Sequence, residues 1–202
     1  MHVVAPTPIA SPASGGFVRH LASSYLERGT VFEARGDVAL ALGEYSHALA
    51  VDPSLGEAYL KLGALRERMG DPREAELVYT AATALSAARA QALFARAMLR
   101  KHAARTSEAL ADLETSSELD PAHDTLIELG ALYTELRAWP AALAVYRRLL
   151  YDAERLGDTH ASNETRLEVR ALRVLAGETD ASKEHGSPHD WVRLALSSIA
   201  KR

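Results

Sequence analysis

The strongest constraint on this chain is that it repeats itself at a fixed spacing. Residues 22–53 read ASSYLERGTVFEARGDVALALGEYSHALAVDP, and residues 56–87 read GEAYLKLGALRERMGDPREAELVYTAATALSA. Aligned at an offset of 34, Tyr25 falls on Tyr59, Gly29 on Gly63, and Gly36-Asp37 on Gly70-Asp71. Ala41 falls on Ala75, Tyr45 on Tyr79 and Ala48 on Ala82. The same offset brings Leu93, Ala97, Ala109, Leu113 and Pro121 of residues 90–121 onto those positions. A fourth copy starts one residue early, at His123, and supplies Leu126, Leu129-Gly130, Tyr133, Ala142 and Tyr146. A period of this size marks stacked supersecondary units, none of which can bury its apolar face alone.

The register, the period and the spaced Tyr, Gly and Ala positions resemble the tetratricopeptide repeat, over about residues 22–156. The resemblance implies an all-α, right-handed α–α solenoid in which each repeat is two antiparallel helices. Low aromatic content, 6%, and scarce β-branched runs agree with helices rather than sheets. The expected organisation is a flexible N-terminal arm at 1–16 and four repeats within 17–156, at about 22–55, 56–89, 90–122 and 123–156. Capping helices or a degenerate fifth repeat follow at 157–202. Expected helices are 17–35 and 38–51, 57–69 and 72–86, 89–103 and 107–118, 123–136 and 140–154. Two more are expected at 162–177, with Leu167, Ala171, Val174 and Leu175 on one face, and at 187–200, with Trp191, Leu194, Ala195 and Ile199 on one face.

The repeat explains an otherwise costly choice. Glycine inside a helix costs up to about 1 kcal/mol relative to Ala, yet Gly29, Gly63 and Gly130 all sit in first helices. They are expected where that helix approaches its partner, with Ala97 in their place in repeat three. Ala41, Ala75, Ala109 and Ala142 are the matching small residues of the second helix. Asp37 and Asp71 are expected helix N-caps, and Pro72 suits the first helical position. Departures are Arg28 and Arg96 at a Leu position, Arg66 and Arg100 at an aromatic position, and the missing Gly-Asp turn of repeat three.

Composition narrows the function. The net charge of −4 gives no general reason to expect nucleic acid or an anionic membrane as partner. The absence of Cys excludes disulfides, thiolate catalysis and Cys-based zinc sites. No apolar run is long enough to span a membrane. MHVVAPTPIASPASGG lacks a basic stretch followed by a long apolar core, so a cytoplasmic location is expected. Ala-rich, Arg-over-Lys usage points to a GC-rich bacterial genome. No phosphate loop, nucleophile elbow or dinucleotide turn is present. His185, His189 and Asp190 straddle a Gly-Ser-Pro break with no further ligands, so neither a metal nor another cofactor is expected, nor a catalytic residue. His47 and His102 read as surface residues.

Charge is uneven. Residues 77–107 contain no acid and carry Arg89, Arg96, Arg100, Lys101 and Arg105. Residues 106–136 contain no Lys or Arg and carry Glu108, Asp112, Glu114, Glu118, Asp120, Asp124, Glu128 and Glu135. Either adjacent helices neutralise each other, or a bipolar surface steers a charged partner or a second copy.

The resemblance implies that first helices line a concave groove, with the fifth residue of each repeat pointing into it. Those residues are Leu26, Leu60, Phe94 and Ile127, with Thr30, Ala64, Met98 and Ala131 one turn on, and Lys61 and Lys101 at the rim. The Lys and Asn clamp that some relatives use for a C-terminal carboxylate is absent: Leu26, Thr30, Gln91 and Ala95 stand at its positions, and Lys61 where Asn is expected. The expectation is a non-enzymatic adaptor or scaffold that binds a partner's helix or extended apolar peptide in this groove, in bacterial secretion, pilus, motility or polarity machinery. A secretion-type chaperone and a self-assembling homo-oligomeric scaffold are the alternatives.

Overall fold

The structure, a computed structural model, describes residues 12–178, with side-chain packing from residue 16. Among the described residues there are nine helices and no strand. They are α1 (Pro12–Arg35), α2 (Val38–Val51), α3 (Gly56–Arg68), α4 (Pro72–Ala82), α5 (Arg89–His102), α6 (Thr106–Leu119), α7 (His123–Glu135), α8 (Trp139–Leu156) and α9 (Thr159–Leu175). The chain divides into two compact units at Arg96/Ala97, within α5. Unit 1 contains α1–α4 and the start of α5. Unit 2 contains the rest.

In unit 1, α1 packs on α2, α2 on α3, and α3 on α4. Its core gathers Leu26, Ala41, Tyr45, Ala48, Ala58 and Leu65, all buried. The helix glycines are the points of closest approach. A Cβ on Gly29 would stand 2.5 Å from the Tyr45 ring, and one on Gly63 would overlap the Tyr79 ring. In unit 2, α7 packs on α8 and α8 on α9, around Leu126, Ala142, Leu143, Tyr146, Leu149 and Leu172. A Cβ on Gly130 would come within 2.8 Å of the Tyr146 ring. Repeat three obeys the same rule with smaller pieces: Ala97 replaces glycine where Leu113 replaces tyrosine, and both are fully buried.

The turns inside the repeats share one geometry, whatever their sequence. Gly36 and Gly70 have left-handed φ of 85° and 80°. The next amide donates back across the helix end, Asp37 N to Phe32 O and Asp71 N to Arg66 O. This closure satisfies carbonyls that the helix end leaves open. Repeats three and four keep it without glycine. Ala104 and Arg137 hold φ of 56°, and Arg105 N and Ala138 N donate to Arg100 O and Tyr133 O. The missing Gly-Asp pair therefore changed the cost of the turn, not its form.

Several expectations are corrected. Asp37 and Asp71 stand at N-cap positions, but neither side chain caps its helix. Their ψ of 63° departs from the extended conformation that aims a cap side chain at the first amides. The Asp71 carboxylate lies 3.6 Å from Arg66 instead. Asp158 does cap, accepting from Ala161 N at 3.0 Å. Helix α1 begins at Pro12, a residue suited to a helix's first turn, so residues 12–16 of the expected arm are helical. Helix α4 stops at Ala82, short of 86. Beyond it Thr83 N is shared between Tyr79 O and Thr80 O, Ala84 and Leu85 bond three residues back, and Ala88 N reaches Leu85 O. These tighter turns replace the last helical turn. On α9 the buried face is Ser162, Thr165, Glu168, Ala171 and Leu172, while Leu167 points outward at 56% exposure. The small Ser162, Thr165 and Ala171 let α9 lie close on α8, which turns Leu167 away. The rest of the expected N-terminal arm, the helix at 187–200, and His185, His189 and Asp190 lie outside the described residues.

Candidate partner-binding surface

Leu26, Thr30, Leu60, Lys61, Ala64 and Phe94 belong to unit 1. Leu26 is not open to a partner. It is 6% exposed and belongs to the core with Ala41, Tyr45 and Ala58. The small Ala58 leaves room for it there. Thr30 is half-buried, and its hydroxyl donates to Glu27 O of its own helix at 2.7 Å. Leu60, Lys61 and Phe94 are half-buried and Ala64 is exposed. The structure brings Leu60 and Lys61 together on one cleft of about 720 Å³. Gln91 of α5 lines the same cleft, and Phe94 stands one turn further along that helix.

The rest of the cleft wall was not foreseen. Arg19 and Ser23 of α1 line it, as do Asp52 and Ser54 in the α2–α3 connection. At its base Gly56 and Ala88 meet so closely that a Cβ on Gly56 would overlap that of Ala88. Two acids and two bases stand on the cleft. Asp52 Oδ1 accepts from Ser54 Oγ at 2.6 Å and Ser54 N at 2.9 Å. Those hydrogen bonds, side chain first, hold its carboxyl below the usual range, and Arg19 adds to the effect. Glu57 is exposed on the first turn of α3, where the helix dipole favours negative charge. The available signal was Ala87, which occupies the position of Pro53 and Pro121. Without that proline the link between repeats two and three takes a different path.

Met98, Lys101, Ile127 and Ala131 belong to unit 2. Lys101 Nζ donates to Glu128 Oε2 at 2.6 Å, so its charge is already matched. Ile127 and Ala131 are half-buried against the α7–α8–α9 core, and Met98 is half-buried on α5. The uneven charge runs meet in this unit. Besides Lys101 with Glu128, Arg100 reaches Asp112 at 2.8 Å and Arg105 reaches Glu108 at 2.6 Å. Neighbouring helices thus neutralise part of both runs.

Each arginine that departs from the repeat pattern has a partner. Arg28 lies 4.6 Å over the Tyr25 ring and bonds Glu44 at 2.8 Å. Arg96 donates to Thr80 Oγ1 at 3.1 Å. Arg66 faces Asp71, and Arg100 bonds Asp112. His47 and His102 are exposed, His47 with its ring 5.4 Å from Tyr25. Among the described residues no group of three or more His, Asp or Glu side chains could hold a metal ion. No described helix is long and apolar enough to cross a membrane.

No protein-family model matches the sequence, and no curated protein matches it. Solved structures do match the fold. MamA superposes with a TM-score of 0.60 at 19% identity, over 90% of this chain and 93% of MamA. A tetratricopeptide repeat protein from Parabacteroides merdae gives 0.65 at 20% identity, over 90% of this chain and 66% of that one. The second such domain of human RPAP3, in complex with an HSP70 peptide, gives 0.51 at 24% identity, over 57% of this chain and 97% of the domain. The fold is therefore the all-helical tetratricopeptide-repeat fold.

Proposed function

We propose that this protein is a non-catalytic adaptor that seats a partner's helix or extended peptide in unit 1, against Leu60 and Phe94. The observation that carries the reading is the cleft at Leu60 and Lys61: apolar side chains half-open to solvent beside a polar wall. Side chains of that kind supply the anchors and the orienting hydrogen bonds of peptide recognition. The prospective wall in unit 2 supports it less, because Lys101 is matched by Glu128 and Ile127 and Ala131 lie on the core. The RPAP3 domain of the same fold holds a short peptide, which makes a peptide a reasonable class of partner here. A cytoplasmic, bacterial setting in secretion, pilus, motility or polarity machinery remains our expectation from the sequence.

The test is Leu60→Ser with Phe94→Glu, compared with wild type by affinity capture from the native lysate. Buried anchors contribute roughly 2 kcal/mol or more each to binding, so captured proteins should be lost while helical content and melting temperature stay near wild type. If the variant keeps every partner, binding lies elsewhere. If it unfolds, the two side chains are core residues and the groove reading fails.

A further inference from the structure

We propose that the unit 1 cleft selects an extended peptide segment of mixed charge, with an acidic side chain for Lys61, a basic one for Glu57 and an apolar one against Leu60. This partner class rests on the adaptor reading above and makes it specific. Two acids and two bases stand on the cleft, Asp52 and Glu57 with Arg19 and Lys61. Two of the four are matched from within. Asp52 accepts both Ser54 hydrogen bonds, and Arg19 is the cation that acts on it. Among the described residues the side chains of Glu57 and Lys61 make no hydrogen bond or ion pair. Glu57 is exposed, and Lys61 is half-buried next to Leu60. In repeat four Glu128 stands at the position of Lys61, and there Lys101 supplies the opposite charge. Among the described residues Lys61 has no such counterpart.

Glu57 and Lys61 sit one turn apart on α3, with Leu60 on the same face. A pair at that spacing gains little by closing on itself in water. It leaves the cleft negative at the first turn of α3 and positive one turn on. A segment charged with one sign throughout is attracted at one end and repelled at the other. A segment carrying both signs in the matching order is attracted at both. The neutral polar side chains select the backbone. Ser23 and Gln91 also line the cleft. A helix satisfies its own amides and carbonyls and has little to offer them. An extended segment leaves both groups without an internal partner, and Gln91 can donate and accept. Side chains two residues apart on an extended chain share a face at roughly 6–7 Å. That matches the roughly 5–6 Å between side chains one helical turn apart. The partner therefore carries its base and its acid two residues apart, with the apolar side chain on the far side of the acid. The close Gly56–Ala88 approach leaves no large side chain in the way at the cleft base.

The experiment uses the full chain and peptides blocked at both ends, so that no terminal charge takes part. The mixed-charge probes are acetyl-Lys-Ser-Glu-Ser-Leu-amide and the same sequence reversed. The like-charge probes replace Lys by Glu, or Glu by Lys. At least one mixed-charge probe should shift the amide NMR signals of residues 54–61 and 87–91, with a Kd several-fold below that of either like-charge probe. Glu57→Gln and Lys61→Gln should each weaken that probe by about two- to five-fold, the range of an exposed ion pair. Equal binding of all compositions would overturn the proposal. So would a preference for a like-charge probe, or cleft signals that neither mixed-charge probe moves. In partner capture from the lysate, Glu57→Gln with Lys61→Gln should retain several-fold less than wild type. Full capture by that variant, with capture still abolished by Leu60→Ser/Phe94→Glu, would refute the mixed-charge partner and leave the adaptor reading standing. Unchanged capture by Leu60→Ser/Phe94→Glu would refute the adaptor reading, and the mixed-charge partner would fall with it.

Discussion

Gly63 and Tyr79 form one object. The glycine has no tolerance for a larger group because the tyrosine ring fills the space a Cβ would take, and Tyr79 is 2% exposed. Gly63→Ala should therefore overpack the helix pair and destabilise the protein by about 1–3 kcal/mol. For a chain of this size that lowers the melting temperature by a few degrees per kcal/mol. Repeat three shows how the pair can change together, with Ala97 and Leu113. Gly63→Ala with Tyr79→Leu should accordingly cost less than the sum of the single changes. A thermal double-mutant cycle with no coupling would mean that the close approach is not what the glycine serves. The left-handed turns make an opposite prediction. Ala104 and Arg137 hold a φ of 56° that glycine adopts without strain. Ala104→Gly should stabilise by about 0.5–1 kcal/mol despite the greater freedom of the unfolded chain. A lowered melting temperature would count against strain at this turn.

At the scale of elements, repeat three is held together differently from its neighbours. Repeats one and two tie helix to helix through Tyr45 to Glu33 and Tyr79 to Glu67. Repeat three has Leu113 in place of tyrosine and uses Arg100 with Asp112, only 15% and 7% exposed. Removing one member of a buried pair strands the other, at about 3–5 kcal/mol, whereas replacing both by apolar groups is often neutral. Asp112→Ala should be strongly destabilising, the lower end applying because Glu108 lies 3.8 Å from Arg100. Arg100→Phe with Asp112→Ala should recover most of that loss. Equal destabilisation by the single and double changes in thermal unfolding would refute the pairing as the main tie. The elements were legible where spacing carries the signal. The 34-residue register places α2, α3, α5, α6, α7 and α8 within one or two residues. The end of α4 was not legible, because Thr83 and the small residues after it are compatible with both a helix and tighter turns, and packing decides. Neither was the rotation of α9, which depends on how closely Ser162, Thr165 and Ala171 let it approach α8. The groove was legible only in part. Periodicity marks Leu26 and Leu60 as equivalent, but Leu26 sinks into a core beside Ala58. Asp52 and Ser54 join the cleft from a connection that no helical pattern describes.

For the whole molecule, phenols sheltered in both units couple stability to alkaline pH. Burial first, then a hydrogen bond to a carboxylate, raises Tyr45 and Tyr79 in unit 1 well above their ordinary value. The same causes push Tyr133 in unit 2, which donates to Glu114 at 2.6 Å, up to about 12. In the unfolded chain all three titrate near 10. Below about pH 10 the phenols are neutral in both states and their contribution to stability is complete. As pH rises further the unfolded chain loses protons first, so stability falls until the folded phenols ionise in turn. Each contributes at most about 1.4 kcal/mol per pH unit within that window. Melting temperature followed from pH 8 to 12 should therefore hold to about 10 and then decline. The absorbance of phenolate should appear in the native protein only above the value expected for free tyrosine. Changing Tyr45, Tyr79 and Tyr133 to Phe should lower stability at neutral pH, since three hydrogen bonds are lost, and flatten the alkaline decline. A triple variant that declines as steeply as wild type would place the alkaline sensitivity outside these three phenols.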